Sequence, residues 1–178
     1  MLHPALLLGA SLLLAGCLTT GEARLPGGTY HLRPPSAAPK TDIWEEVEFQ
    51  HPKGKDKFLV HILNTAEKTR VTILDPTTMA TLVSSTHEAG RLKRTGLIPS
   101  REIPDELPIA LLQISTWPTD KVRAGLTGHL ALEAKPRRRV LLDEGMPIAI
   151  IEEEAAGKRT IRLPRHEVLI TVRTTVHP

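Results

Sequence analysis

The chain has 178 residues, which is enough for one domain and too few for two large ones. Hydrophobic residues make up 40% and charged residues 24%, so the chain is too apolar and too weakly charged to be intrinsically disordered. The single Cys excludes an internal disulfide framework and Cys-rich metal sites, and a formal net charge of +3 indicates no nucleic-acid partner.

The chain begins with a short apolar run, residues 6–14, about half as long as the roughly 20 residues that cross a bilayer. Such a run is typical of a secretory signal peptide rather than a transmembrane helix. It ends in Leu14, Ala15 and Gly16 directly before Cys17, which matches the lipobox of bacterial lipoproteins. This resemblance implies that residues 1–16 are a lipoprotein signal peptide, that the Cys17 thiol receives a diacylglycerol, and that cleavage follows Gly16.

The destination of the anchored chain is predicted from the residue after the Cys. Leu18 stands where Asp signals inner-membrane retention in enteric-type bacteria, so we expect the outer membrane, on its periplasmic side. Several acyl chains, at ~0.8 kcal/mol per buried methylene, would hold the protein to that membrane. The alternative is a buried Cys17 in an ordinary N-terminal helix, and the lack of Lys and Arg before residue 17 favours it.

Residues 17–40 are rich in Pro, Gly, Thr and small side chains and show no helical or strand period. We interpret them as the lipidated N-terminus and a semi-extended tether. The alternative is that the first part packs as an edge segment through Tyr30 and Leu32.

Residues 41–178 are predicted to form a single β-rich domain. Short alternating apolar runs separated by turn residues are typical of antiparallel strands. Two short helices, over residues 109–114 and 121–126, interrupt them after Pro-rich starts. The predicted strands cover residues 43–50, 58–63, 70–74, 79–86, 88–95, 129–134, 137–142, 146–153, 159–163 and 167–174.

The fold class is therefore mainly β with short helices (α+β). A sheet of about ten strands must curl or close, because open twisted sheets of that size do not stay flat. We expect a half-open antiparallel β-barrel with a helical lid between the two strand groups. A sandwich with a helical excursion is the alternative.

The lid segment carries a family resemblance. Residues 107–118 (LPIALLQISTWP), followed by Val122, Ala124 and Leu126, resemble a family of small bacterial lipoproteins known only as a domain of unknown function. That family is similar in turn to the LolA/LolB superfamily, which carries lipoproteins across the periplasm. The resemblance implies a LolB-like incomplete barrel with an apolar cavity for acyl chains, although no motif transfers a LolB functional residue to this chain.

A ligand cavity is predicted where strands are apolar on both faces, because one face can line a pocket while the other packs. The alternative is a filled core, since a sequence does not distinguish a lined cavity from a packed one. The candidate lining residues are Phe58, Val60, Ile62, Val71, Ile73, Ile148, Ile150, Val168, Ile170 and Val172, closed by Leu111, Leu112 and Trp117.

Catalytic and metal chemistry has little support in the sequence. There is no Gly-x-Ser-x-Gly elbow, and the eight His are scattered without metal-ligand spacing. We expect no enzyme activity, no metal and no cofactor, and we interpret His61 as a rim or solvated residue. Two basic groups, residues 91–94 and 137–139, suit either anionic headgroups or the protection of edge strands.

These patterns predict a cell-envelope lipoprotein that binds or transfers a lipid or an acylated molecule. Its partners would be the membrane, through the lipid anchor, and a lipid or lipoprotein acyl-chain cargo. The alternative is a non-catalytic structural or adaptor lipoprotein that holds envelope protein partners at the membrane and has no ligand cavity.

Overall fold

The computed structural model describes residues 19–154 and 157–175, so Cys17 and the lipobox residues Leu14, Ala15 and Gly16 lie outside the described residues. The described part is mainly β with two short α-helices, which confirms the predicted class. The helices are α1 (Leu107–Thr116) and α2 (Thr119–Arg123). The strands are β1 (Thr19–Thr20), β2 (Glu22–Leu25), β3 (Gly28–His31), β4 (Thr41–His51), β5 (Gly54–Asn64), β6 (Lys68–Leu74), β7 (Thr81–Glu88), β8 (Arg91–Thr95), β9 (Leu126–Gly128), β10 (Leu130–Lys135), β11 (Arg138–Asp143), β12 (Met146–Glu153), β13 (Lys158–Leu163) and β14 (Val168–Thr175).

One large antiparallel sheet contains eleven of these strands, in the order β1-β8-β7-β6-β5-β4-β14-β13-β12-β11-β10. It consists of two five-stranded meanders, β4 to β8 and β10 to β14, with β1 added beside β8. The meanders are joined where β14 pairs with β4 and Val172 lies opposite Val47. The terminal strands β1 and β10 do not pair with each other in the described part of the chain. The sheet is therefore open and not closed into a barrel.

The longest hairpin, β4–β5, shows how local sequence sets the register. Its pairing runs from Thr41 opposite Asn64 to His51 opposite Gly54, so only Pro52 and Lys53 form the turn. Gly54 has φ +151°, a backbone conformation that residues with a Cβ rarely adopt. The hairpin thus extends both strands beyond the predicted 43–50 and 58–63.

A second, three-stranded sheet in the order β2-β3-β9 is built from the N-terminal segment and the chain after α2. Tyr30 is fully buried and Leu32 is nearly so. This part of the N-terminal segment therefore packs against the rest of the protein, which is the alternative to an extended tether.

The predicted helix over residues 121–126 is wrong at its end, because α2 stops at Arg123 and β9 begins at Leu126. Gly125 makes this turn possible, since a Cβ there would lie 2.6 Å from the His31 carbonyl oxygen.

The hydrophobic core lies between α1 and one face of the large sheet. Buried residues of the first meander, such as Val60 and Val71, share one cluster with Ile151 and Ile161 of the second and with Ile109 of α1. Residues from strands far apart in the order can meet in this way only if the sheet curves around α1. No helix in residues 19–154 and 157–175 is long and apolar enough to cross a membrane.

Candidate ligand-binding cavity

Helix α1 is apolar on nearly all sides and is buried accordingly. Pro108 lies in its first turn, where the missing N–H costs no helical hydrogen bond. One face of the helix is directed toward the sheet. It carries Leu107, Leu111 and Ser115, which are spaced four residues apart. Gln113 on another face is fully buried and bonds to the N-terminal segment. The helix is thus packed between the large sheet and residues 22–38.

Arg94, on β8, holds the segment that leads into α1. Its Nη1 donates to the Ile103 carbonyl oxygen at 2.6 Å and to Asp105 Oδ1 at 2.8 Å, and its Nη2 donates to the Ile98 carbonyl oxygen at 2.5 Å. Burial alone would raise the pKa of Asp105, but hydrogen bonds from Arg94 and Ser100 outweigh it and lower that pKa below its usual value. The carboxylate therefore stays charged and keeps the segment fixed.

Arg139, on β11, holds the other end of α1. Its Nη1 donates to the carbonyl oxygens of Ile114 at 3.3 Å and Trp117 at 2.6 Å, which lack partners within the helix. Burial lowers the pKa of this guanidinium somewhat from its ordinary value. One arginine from each meander thus fixes the position of α1 over the sheet.

Between α1 and the concave face of the sheet lies an apolar cavity of about 470 Å³. Its floor is formed by β4, β5, β6, β13 and β14, and its roof by α1 with residues 98–103. Asp56 and Glu102 line it and are exposed, so the cavity opens to solvent near them. A larger depression of about 830 Å³ lies along β8, but charged residues line much of it.

Most of the predicted lining residues meet in this cavity, through strands that are distant in sequence. Alternation along each strand places them on the same face, and the curvature of the sheet turns that face toward α1. The nine that line the cavity are Phe58, Val60, Ile62, Val71, Ile73, Leu111, Leu112, Ile170 and Val172.

Four predicted residues lie elsewhere. Ile150 sits on the outer face opposite Arg162, while its neighbour Ile151 faces the core. Ile148 is buried beside a register shift between β11 and β12. Trp117 and Val168 are buried, but neither borders the cavity.

The cavity wall also holds a charged pair that the sequence patterns did not predict. Arg159 Nη2 donates to Glu45 Oε2 at 2.8 Å, and both side chains line the cavity. The Glu45 side chain is 3% exposed and that of Arg159 13%. The alternation of side chains along a strand could have identified them. Glu45 lies two residues from Ile43 and from Val47, and Arg159 lies two residues from Ile161, so each shares a face with apolar residues.

The remaining candidate groups lie outside the cavity. His61 is on the outer face, stacked on Trp44 at 4.5 Å and hydrogen-bonded to Asp42 at 2.7 Å. Of the two basic groups, Arg94 and Arg139 are committed to backbone carbonyls around α1. The exposed members are Arg91, Lys93, Arg137 and Arg138, of which Arg138 forms an ion pair with Glu152. The described residues hold no cluster of three or more His, Cys, Asp or Glu suited to a metal.

A family model described as "Protein of unknown function (DUF3261)" matches residues 42–176, about three quarters of the chain and nearly all of the large sheet. A search of curated proteins finds no match.

Proposed function

The chain belongs to the DUF3261 family of proteins of unknown function, and on that premise we propose that it is an outer-membrane lipoprotein that binds or transfers a lipid or an acylated molecule in the cell envelope. The observation that carries the proposal is the apolar cavity under α1. Its volume of about 470 Å³ lies within the range of about 300–1,000 Å³ found for small-molecule sites.

The chemistry of the wall favours an acyl chain over a planar ligand. Apart from Phe49 and Phe58, the cavity has no aromatic side chain among the described residues, so it offers little surface for stacking. Leu, Ile and Val side chains supply the rest of the apolar wall, which suits a flexible hydrocarbon. Among the described residues that line it, the Ser115 hydroxyl donates to the Leu112 carbonyl oxygen and not to a base, so we propose binding rather than catalysis.

We also propose that the architecture is LolB-like. An open antiparallel sheet that curves around a short lid helix supports this, and the lipobox before Cys17 supports the anchor. The adaptor alternative needs no cavity ligand and is distinguished from the carrier in the experiment below.

The test measures occupancy of the cavity by an apolar probe. The full chain is produced by cell-free synthesis without membranes or detergent, so that no lipid competes. N-phenyl-1-naphthylamine, an uncharged dye that fluoresces in apolar surroundings, is titrated in and then displaced with dodecan-1-ol. We expect saturable fluorescence that the alcohol reverses.

A pair of neighbouring substitutions on β5 locates the binding site. Val60→Phe extends a ring into the cavity and should weaken dye binding at least about tenfold, since the ring takes the place of the ligand. Leu59→Phe adds a ring on the opposite face and should leave dye binding within about twofold of the unaltered chain. Absence of saturable binding, or equal binding by both variants, would refute the carrier and favour the adaptor.

The anchor has a separate test in cells. Cys17→Ser removes the thiol that lipid transfer requires, so we expect an unprocessed precursor that leaves the outer-membrane fraction. Normal processing and sorting of this variant would refute lipidation while leaving the cavity proposal standing.

A further inference from the structure

The Glu45–Arg159 pair is incompletely hydrogen-bonded although it is buried. One hydrogen bond, Nη2 to Oε2, joins the two side chains. The second carboxylate oxygen, Glu45 Oε1, and the Arg159 Nε are both buried, and neither has a hydrogen-bond partner among the described protein groups. An acceptor and a donor therefore remain unused in a mostly apolar wall.

Such an arrangement is costly for a group whose only purpose is stability. A buried ion pair compensates for its lost hydration only when its remaining lone pairs and protons are also satisfied. In the register Val60 and Thr174 flank Glu45, and Val172 and Glu153 flank Arg159, but none of these four residues bonds to the unused atoms. The two unused atoms, Glu45 Oε1 and Arg159 Nε, are therefore available to bind a polar group of a ligand.

We propose that Glu45 and Arg159 bind the head group of the cavity's ligand, and that this head group is uncharged and both donates and accepts hydrogen bonds, as a primary amide does. The inference rests on the proposed acyl-binding function. Glu45 Oε1 and Arg159 Nε are both covered in this structure, so the two side chains must rotate slightly before the amide N–H donates to Glu45 Oε1 and its carbonyl oxygen accepts from Arg159 Nε. The terminal torsion of a glutamate is broad, so its carboxylate turns toward the cavity without leaving a preferred rotamer.

The charge balance of the pair excludes ionised head groups. Together the two side chains carry no net charge, and the other carboxylates that line the cavity, Asp56 and Glu102, are exposed at its mouth, where solvent screens them. A carboxylate ligand would lie against Glu45, and an ammonium ligand would lie against Arg159, each with like charges in a site shielded from water. The pair thus selects neutral amphiphiles over fatty acids and fatty amines.

The test compares ligands that share one chain length. Dodecanamide, dodecanoate, dodecylamine and methyl dodecanoate each displace N-phenyl-1-naphthylamine from the full chain at about pH 8, where the acid and the amine are ionised. We expect dodecanamide to displace the dye at a concentration at least about tenfold lower than either ion, because only the amide satisfies both free atoms. The methyl ester, which only accepts, should be intermediate.

Two variants locate that preference. Replacing both partners, Glu45→Leu with Arg159→Met, removes the polar pair without leaving an unpaired charge, so the protein should fold. Dye binding should remain, while the preference for the amide over the methyl ester should fall to within about twofold. Glu45→Gln leaves the arginine charge without its partner, so dodecanoate should displace the dye from this variant at a lower concentration than dodecylamine does.

The outcomes separate this inference from the proposal on which it rests. If the double variant keeps the amide preference, the pair does not bind the head group, although the acyl cavity stands. If the unaltered chain binds the dye but ranks the ions above the amide, the neutral head group is wrong. If the unaltered chain binds no dye, the acyl-binding function and this inference both fail.

Discussion

The Tyr30 hydroxyl donates to Gln113 Oε1 at 2.9 Å, and both residues are fully buried although 83 positions separate them. Gln113 also accepts from the Arg33 backbone N–H at 2.9 Å and donates to the Arg33 carbonyl oxygen at 3.0 Å. A single amide therefore satisfies three groups of the N-terminal segment. The contact fixes the back of α1, whose front roofs the cavity.

Gln113→Leu should destabilise the protein more than the loss of one hydrogen bond would. The variant leaves the buried Tyr30 hydroxyl and both partly buried Arg33 backbone groups without their partner. We expect a loss of about 2–4 kcal/mol in the free energy of unfolding, measured by urea titration. Tyr30→Phe, which removes one of the three bonds, is the control and should cost about 1 kcal/mol. Equal effects of the two variants would show that the Arg33 contacts contribute nothing.

Alkaline titration should report the burial of Tyr30. Burial raises the pKa of its hydroxyl above the usual value of 10.0, with the nearby Arg33 opposing the shift only partly. Because the hydroxyl ionises less readily in the folded state than in the unfolded state, its contribution to stability is fully present below pH 10 and is lost as the pH rises above 10. The chain has one Tyr, so phenolate absorbance reports on this residue alone.

We expect no phenolate signal from the folded protein at about pH 10, and half-ionisation near that pH once urea has unfolded it. Tyr30→Phe should lose the alkaline decline in stability that this group causes. A folded protein that ionises near its ordinary pKa would mean that the hydroxyl is exposed.

Arg139→Met should loosen the C-terminal end of α1. The substitution removes the donors to the Ile114 and Trp117 carbonyl oxygens but keeps an unbranched apolar side chain. We expect a loss of about 1–3 kcal/mol in the free energy of unfolding and faster hydrogen exchange at the last amides of the helix. Arg138→Met is the matched control. It breaks an exposed ion pair with Glu152 and should cost less than about 0.5 kcal/mol.

The strands and α1 could be predicted from sequence because their apolar residues recur at strand or helix spacing. Alternation placed Phe58, Val60 and Ile62 on one face, and the structure keeps them there. No such alternation exists at residues 148–151, where four apolar residues follow one another and the β11–β12 register shifts, so the prediction that Ile150 lines the cavity is wrong. A continuous apolar run has no period from which to choose a side.

The N-terminal segment and the charged pair could not be predicted from local sequence. The burial of Tyr30 depends on Gln113, which is 83 residues away in the chain. Glu45 and Arg159 are 114 residues apart and meet because β14 lies between β4 and β13. A sequence-based prediction places charged residues in solvent by default. Only the pairing of the strands in the structure shows that Glu45 and Arg159 are buried instead.

Arg94→Met should open the segment that precedes α1 before it unfolds the rest of the molecule. Residues 96–106 are held by the three bonds of the Arg94 guanidinium, and Arg101 within them is exposed. Cleavage by trypsin after Arg101 requires this segment to detach locally, so its rate reports the strength of the Arg94 contacts. We expect cleavage there to accelerate at least about tenfold in the variant, measured by mass spectrometry of the first fragments. Arg91→Met removes an exposed arginine from the same strand and should leave the rate within about twofold. Unchanged cleavage in Arg94→Met would show that Ser85, whose hydroxyl donates to the Asp105 carbonyl oxygen at 2.8 Å, suffices to hold the segment.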